Sequence, residues 1–106
     1  MKLIWTAFAA EQLERIYVFI KDKSETAAVG IYNDILDEVD SLLHFPYMAS
    51  LEALLSEFAE SYRSLVVRNI YKVVYYINNE TIYIVAVFDC RQSPKKLTRI
   101  LKKNKA

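Results

Sequence analysis

The sequence predicts an α+β fold in which an antiparallel pair of helices packs on a small antiparallel sheet. Two stretches with helical apolar periodicity occupy the first half of the chain, and three segments rich in Val, Ile and Tyr occupy the second. A short apolar segment precedes them, so the predicted order is β-α-α-β-β-β with a short C-terminal helix. A length of 106 residues is typical of one domain with one core, and we expect a single domain over residues 1–106.

A strand and a helix are predicted at the start of the chain. Residues 2–6 read Lys-Leu-Ile-Trp-Thr, which favours a short strand. The hydroxyl of Thr6 can then cap a helix by accepting a hydrogen bond from a free amide of the first turn. Apolar residues recur at helical spacing as far as Ile20, and the polar run 21–24 ends this helix.

A second helix is predicted after Ser24, which can cap it as Thr6 caps the first. Its apolar stripe continues to Leu42, and Pro46 stops it because proline disfavours helical geometry in the residue before it. The short connection between the two helices indicates an antiparallel hairpin. Residues 47–61 are expected to form a loop with one helical turn.

Three strands and a last helix are predicted in the second half. The short links between the strands indicate an antiparallel meander, and Asn69-Ile70 and Asn79-Glu80 are the expected two-residue turns. Pro94 can open the final helix because proline is tolerated at the first helical position. The predicted strands are 62–68, 71–78 and 81–89, the helix runs from 94 to 102, and residues 94–106 form a basic C-terminal helix and tail.

Charge is distributed unevenly, although the formal net charge is only +1. Through Ser61 the chain carries eleven acidic and four basic residues, a balance of −7. From Tyr62 onward it carries ten basic and two acidic residues, a balance of +8. Such asymmetry between halves indicates an anionic partner for the basic half.

Several kinds of site are excluded by the residue types present. Cys90 and His44 are the only residues of their kinds, too few for the three or four ligands of a metal site, so we expect no metal ion or other cofactor. Gly30 is the one glycine, which rules out a glycine-rich phosphate loop. A single cysteine cannot form an internal disulfide, and this favours a reducing compartment.

The first ten residues have some features of a minimal signal peptide. However, Thr6 interrupts a short apolar run that also serves as the first strand and the start of the first helix. No window of the sequence reaches the roughly 18 apolar residues that a membrane span requires. We therefore expect a cytoplasmic protein without membrane contact.

The expected turns place three cations on one face of the sheet. Alternate residues of a strand point to the same side, so Arg63, Lys72 and Arg91 should converge there. The alternative is that these bases only border the sheet and favour solubility. Apolar side chains on the same face need a cover, either the C-terminal helix or another chain, and an uncovered face would allow the free protein to form a homodimer. Besides the cations, this face should hold Leu65, Val67, Val74, Tyr76, Tyr83, Val85 and Val87.

The last predicted helix is basic, with a small apolar stripe. Its cations Lys95, Lys96 and Arg99 can contact phosphate through charge alone, which gives affinity without sequence preference. A solvated helix end is the alternative interpretation. We take these three residues, together with Arg68 and Tyr76, as candidates for binding nucleic acid or another target.

A family resemblance follows from four segments in a fixed order. The chain contains Ile4-Trp5-Thr6, Tyr62-Arg63-Ser-Leu-Val-Val67, Tyr71-Lys-Val-Val-Tyr75, and Val87-Phe-Asp-Cys-Arg91 followed by Gln-Ser-Pro94. Together they resemble the RelE/ParE superfamily of bacterial toxins from type II toxin–antitoxin modules, over nearly the whole chain. The resemblance implies a small toxin that arrests growth, has a role in plasmid stabilization, and is held inactive by a cognate antitoxin from a neighbouring gene.

One branch of this superfamily, the RelE-like toxins, binds RNA and cuts mRNA in the ribosome without a metal. Fixed cations there stabilise the developing negative charge, and neighbouring arginines would lower the pKa of a lysine toward one useful for proton transfer. This sequence departs from RelE at Leu65, where RelE carries a second basic residue. It also lacks a tyrosine after Arg91, so Tyr75 or Tyr76 would have to substitute. The catalytic residues that the resemblance implies are Arg63, Lys72 and Arg91.

The other branch, the ParE-like toxins, inhibits DNA gyrase by binding it and performs no covalent chemistry. The segments Trp5-Thr6 and Tyr62-Arg63 with Leu65-Val-Val67 are similar to that branch. A third interpretation is an inactive module that only binds an antitoxin. For either toxin, alanine at Arg63, Lys72 or Arg91 is expected to reduce toxicity while leaving folding intact.

Overall fold

A computed structural model describes residues 1–104, so the predicted tail residue Lys105 lies outside the described part of the chain. It confirms the α+β class and adds a short strand and a single 3₁₀ turn, Ala53–Leu55, inside the segment expected to be a loop with one helical turn. No helix within residues 1–104 is long and apolar enough to cross a membrane. The elements are β1 (Lys2–Trp5), α1 (Ala7–Lys21), α2 (Glu25–Ser41), β2 (Ser50–Leu51), β3 (Arg63–Val67), β4 (Tyr71–Asn78), β5 (Thr81–Asp89) and α3 (Pro94–Asn104).

Both expected helix caps are present. The Thr6 hydroxyl accepts a hydrogen bond from the Ala9 amide at 3.2 Å and donates one to the Ile84 carbonyl at 3.0 Å, which ties the start of α1 to β5. The Ser24 hydroxyl accepts from the Ala27 amide at 3.1 Å at the start of α2. Each cap satisfies an amide that has no partner inside its helix.

The sheet has five strands in the order β1-β5-β4-β3-β2. The expected meander of β3, β4 and β5 is present, and β2 adds a short antiparallel edge beside β3. At the other edge β1 pairs with β5 in parallel, so the sheet is mixed rather than antiparallel throughout. No turn links β1 to β5, and the sequence therefore carries no signal for that pairing.

The first hairpin differs from the predicted register by one residue. Val67 pairs with Tyr71, which leaves three residues in the loop instead of the expected pair Asn69-Ile70. Arg68 and Asn69 both have positive φ, at 54° and 56°, and supply the tight reversal. A shift of one residue moves side chains to the opposite face, so Lys72 does not share a face with Arg63.

The second hairpin begins as predicted and then shifts. Asn79 and Glu80 form the two-residue turn with φ of 50° and 60°, and Tyr76 lies opposite Tyr83. Beyond this pair a β-bulge inserts Val85 as an extra residue in β5. The bulge reverses the facing of the rest of the strand, so Lys72 lies opposite Phe88 rather than Val87.

Each face of the sheet is covered by a different part of the chain. The helix hairpin packs on one face, which includes Leu65, Val67, Val73, Tyr75, Ile84 and Val87. The 3₁₀ turn and α3 cover the other face, which includes Tyr62, Val74, Ala86 and Phe88. Leu97 and Leu101 of α3 are buried there. The apolar residues predicted to share one face are therefore divided between the two, because Leu65, Val67 and Val87 lie under the helix hairpin whereas Val74 lies under α3. Both faces are covered within the chain, so neither is the bare apolar face that the sequence led us to expect.

Candidate functional site

Lys72, a candidate catalytic base, is bound to a buried carboxylate. Its ammonium lies 2.5 Å from Oε1 of Glu52, whose side chain is only 6% exposed. The same oxygen accepts a hydrogen bond from the Ser64 hydroxyl at 2.8 Å, and Oε2 accepts one from the Leu54 amide at 3.0 Å. The four groups form a closed network that attaches the segment carrying Glu52 to β3 and β4.

The ionisation of Glu52 reflects this network. Burial favours the neutral acid, but hydrogen bonds from Lys72, Leu54 and Ser64 outweigh it and hold the pKa of the carboxyl below its ordinary value. Glu52 is therefore charged near neutral pH, and Lys72 neutralises it. The Lys72 ammonium is held by this carboxylate, and moving it toward a substrate would break the pair and leave the buried carboxylate uncompensated.

Arg63 lies on the opposite face of the sheet from Lys72. Arg63 is paired with Tyr75, and Tyr75 and Lys72 are three residues apart on β4, so their side chains point to opposite faces. Its Nη1 donates a hydrogen bond to the Ala49 carbonyl at 2.7 Å, and its guanidinium lies 5.2 Å from the ring centre of Tyr47. These contacts hold the loop between α2 and β2 against the sheet. The structure does not bring Arg63 and Lys72 together at one reaction centre.

Arg91 and Arg68 also have partners within the chain. Arg91 binds both carboxylate oxygens of Asp89, at 3.0 and 2.7 Å, and this interaction lowers the pKa of the Asp89 carboxyl. Arg68 binds Asp34 of α2 at 2.5 Å, which joins the first hairpin loop to the helix layer. Both pairs are partly exposed to solvent. All three cations expected to converge are therefore engaged in separate places.

Tyr76 belongs to a row of aromatic rings between the sheet and α3. Its ring is stacked on Tyr83 at a centroid distance of 5.1 Å and meets Tyr62 edge-on at 5.5 Å. Burial raises the pKa of the Tyr76 hydroxyl. Aromatic pairs with this geometry stabilise packing, and a raised pKa makes the phenol a weaker acid than an exposed tyrosine, so the row is suited to a structural role.

The cations of α3 differ from those of the sheet. Lys95, Arg99 and Lys102 line one shallow surface cleft together with Ser93 and Thr98. All three cations are exposed, and none of them forms an ion pair with any residue between 1 and 104. We call this surface the α3 cationic face.

Lys96, predicted to act with Lys95 and Arg99, points elsewhere. Its ammonium donates to Oε1 of Gln92 at 2.5 Å, and it lines a separate groove between α1 and α3. That groove also contains Glu11 and Arg15 of α1. The third cation of the α3 cationic face is therefore Lys102 and not Lys96.

Residues 3–94 match the protein family described as "ParE toxin of type II toxin-antitoxin system, parDE". The chain belongs to the ParE toxin family. A comparison with curated proteins finds no match. Among solved structures, the chain is similar to one titled "Chromosomal ParDE TA system from P. aeruginosa", with a TM-score of 0.68 and 22% identity over 84% of this chain and 95% of that one. ParE membership implies a cognate antitoxin as partner, and the family match ends at the first residue of α3.

Two features of these candidate sites were not found from the sequence. Glu52 has no pattern that marks it as the partner of Lys72, because their pairing depends on how residues 47–61 cross the sheet. Lys102 could have been found from its spacing, since Lys95, Arg99 and Lys102 lie at i, i+4 and i+7 and residues so spaced share a helix face. Across residues 1–104 no group of three His, Cys, Asp or Glu side chains is suited to holding a metal ion.

Proposed function

We propose that this chain is a cytoplasmic toxin that arrests growth by binding DNA gyrase and is neutralised by a cognate antitoxin. Its family membership supports the toxin assignment, and the gyrase target is the one implied by resemblance to the ParE branch. The alternative activity, cleavage of mRNA in the ribosome, would require the cations of the sheet to surround one phosphate.

The observation that carries this choice is the separation of Arg63 from Lys72. A catalytic group must lie within hydrogen-bond reach of the atom it acts on, and these two side chains leave opposite faces of one sheet. Lys72 is already neutralised by Glu52, and Arg91 by Asp89. A toxin that acts by binding alone needs none of these residues to perform proton transfer.

A surface suited to the antitoxin lies along residues 43–51. This segment follows α2 and leads into β2, one of the two edge strands, whose outer backbone groups face no other strand of the part of the chain that the structure describes. Several large exposed apolar side chains within one short segment are typical of an interaction site, and an edge strand can pair with an extended segment of another chain. We assign this surface to the antitoxin rather than to a second copy. Its exposed apolar residues are Leu43, Phe45, Tyr47, Met48 and Leu51.

The experiment that tests the proposal compares two targets with the same preparation of protein. Purified gyrase should lose supercoiling activity when the chain is added, and programmed ribosomes should keep their message intact. Adding the product of the adjacent gene should restore supercoiling. Arg91→Ala serves as a matched control: a nuclease that depends on Arg91 would lose activity, whereas we now expect a gyrase inhibitor to keep it, in contrast to the expectation from the sequence, because Arg91 is paired with Asp89. Full gyrase activity at saturating protein would overturn the proposal.

A further inference from the structure

The α3 cationic face carries more charge than the fold requires. Within α3 there are five basic residues and no acidic residue. Arg99 lies four residues from both Lys95 and Lys103 and three from Lys102, and like charges at these helical spacings repel one another. Burial of Leu97 and Leu101 keeps the helix docked in spite of this repulsion. An anion bound across the face would relieve it.

Other cations of the chain show what an internal function looks like. Arg15, Arg68, Lys72 and Arg91 each form an ion pair with a carboxylate of the same chain. Lys95, Arg99 and Lys102 instead share a cleft with two hydroxyl residues and no acid. Glu57 lines the neighbouring groove together with Lys102, but the two side chains form no ion pair. The cationic face is thus available to an external anion.

The dimensions and chemistry of the face fit a phosphate backbone. A helix rises about 1.5 Å per residue, so Lys95 and Lys102 are separated by about 10 Å along α3. This is about three steps of a DNA strand, which carries one phosphate per 3.4 Å of axis. Lysine, arginine, serine and threonine are among the side chains that contact phosphate oxygens, and all four occur here.

A protein segment fits the cationic face less well. Protein interfaces have apolar centres, and the energy of binding is concentrated in a few buried aromatic or aliphatic anchors. The cleft is lined by Ser93, Lys95, Thr98, Arg99 and Lys102, with no aromatic residue and no aliphatic side chain other than the stems of its cations. Thr98 already donates its hydroxyl to the Leu54 carbonyl at 3.4 Å. The available groups are therefore predominantly charged donors, as a polyanion requires.

We propose that the α3 cationic face binds the phosphate backbone of duplex DNA without sequence preference. DNA binding by this face does not depend on which target the toxin inhibits. Its role in the cell rests on the proposed function, since the face would hold the toxin on the DNA segment that gyrase is processing. The family match covers residues 3–94 and so assigns no role to the cations of this surface.

The test measures binding of the purified chain to two fluorescent duplexes of unrelated sequence, over a range of salt concentrations. The test variant is Lys95→Gln, Arg99→Gln, Lys102→Gln. The matched control is Lys2→Gln, Lys21→Gln, Lys23→Gln, which removes three exposed cations elsewhere and gives the same net charge. Circular dichroism and thermal unfolding establish that both variants are folded. Arg99→Glu provides a second test with a single substitution.

Wild type should bind the two duplexes with equal affinity, and the control variant should bind them about as tightly as wild type does. The test variant should lose at least about tenfold in affinity, and the slope of log affinity against log salt should fall by about 2.7, since each phosphate contact contributes about 0.9. Equal losses in the test and control variants, or no DNA binding by wild type at low salt, would overturn the proposal. In a parallel titration with an acidic peptide, tighter binding of the peptide than of either duplex would also overturn the proposal. DNA binding through α3 without gyrase inhibition would support this inference and contradict only the proposed target.

Discussion

The cations of the sheet and the cations of α3 have opposite relations to the rest of the molecule. Arg68, Lys72 and Arg91 each face a carboxylate of the same chain, at distances between 2.5 and 2.7 Å. Lys95, Arg99 and Lys102 lie together on an exposed helix face and have no such partner within the described residues. The comparison teaches that a count of basic residues does not locate a binding surface, because many of the charges stabilise the fold.

The largest effect on stability is expected for Lys72, because its partner Glu52 is the most buried carboxylate among the ion pairs. The pair with Glu52 replaces the expectation from the sequence that substitution of Lys72 leaves folding intact. Lys72→Met should lower the free energy of unfolding by about 3 kcal/mol, the low end of the range for removing one partner of a buried pair. The low end applies because Glu52 keeps its bonds from Ser64 and Leu54. Urea unfolding followed by circular dichroism measures it, and Glu52→Gln, Lys72→Met should recover most of the loss. A Lys72→Met variant as stable as wild type would show that the network does not hold the fold.

Acid should weaken the same network. The folded-state pKa of Glu52 is below its unfolded value, so its stabilising contribution is complete above about pH 4.3 and is lost as the pH falls through the folded value. Urea midpoints measured between pH 7 and pH 3 should therefore fall more steeply for wild type than for Glu52→Gln, Lys72→Met. Asp89→Asn is the control, since it removes only the contribution of an exposed pair. Identical profiles for wild type and the double variant would contradict the assignment.

A smaller, stabilising effect is expected beside Arg68. Gly30→Ala should raise the free energy of unfolding by about 0.5–1 kcal/mol, because alanine has the higher helix propensity. The new Cβ would lie 3.3 Å from Nη2 of Arg68, the end of a half-exposed side chain that can move by a few tenths of an ångström. Thermal unfolding measures the change. A decrease that disappears when Arg68→Gln is added would mean that Asp34 holds the guanidinium more rigidly than expected.

Removal of the Asp34 charge should have a still smaller effect. Asp34→Asn is expected to cost between about 0.2 and 1 kcal/mol, because both side chains of this pair are more than 40% exposed and water screens the interaction. Salt should reduce the difference from wild type. A loss of the size expected for Lys72→Met would place Arg68 among the cations that hold the fold.

The smallest effect on stability is expected on α3. Lys95→Gln, Arg99→Gln, Lys102→Gln should change the free energy of unfolding by less than about 0.5 kcal/mol, as is usual for exposed residues without partners. Relief of repulsion along the helix favours a slight increase. Chemical denaturation of the variant beside wild type measures it. A clear loss of stability would show that these side chains have structural partners and would remove the contrast between the two sets of cations.

Much of the fold was predictable because it depends on local chemistry. Thr6 and Ser24 cap their helices as expected, since a hydroxyl before an apolar helical stripe acts on amides only a few residues away. The strands of the second half were predicted from β-branched and aromatic residues, and Asn79-Glu80 was predicted as their second turn. Each of these features is decided within a few residues of the chain.

The candidate site was less predictable, because the face of the sheet to which a side chain points can be changed by one extra residue in a loop or strand. The three-residue loop at Arg68 and the extra residue at Val85 each reverse the side to which a strand presents its side chains. Neither has a clear sequence signal, since Arg68 is not a residue that usually adopts positive φ. The predicted convergence of Arg63, Lys72 and Arg91 therefore did not occur, although each residue lies on or beside its expected strand.

By itself the sequence determined the class of fold, the order of the main elements, the toxin superfamily and the concentration of positive charge in the second half. Only the tertiary structure decided which of those charges are used internally. An ion pair such as Lys72 with Glu52 joins residues that are distant in sequence, and it forms only after the strand register and the path of residues 47–61 are fixed. Lys95, Arg99 and Lys102 have no ion pair within residues 1–104 for a related reason, because the cleft that they share in the folded chain contains no acidic side chain.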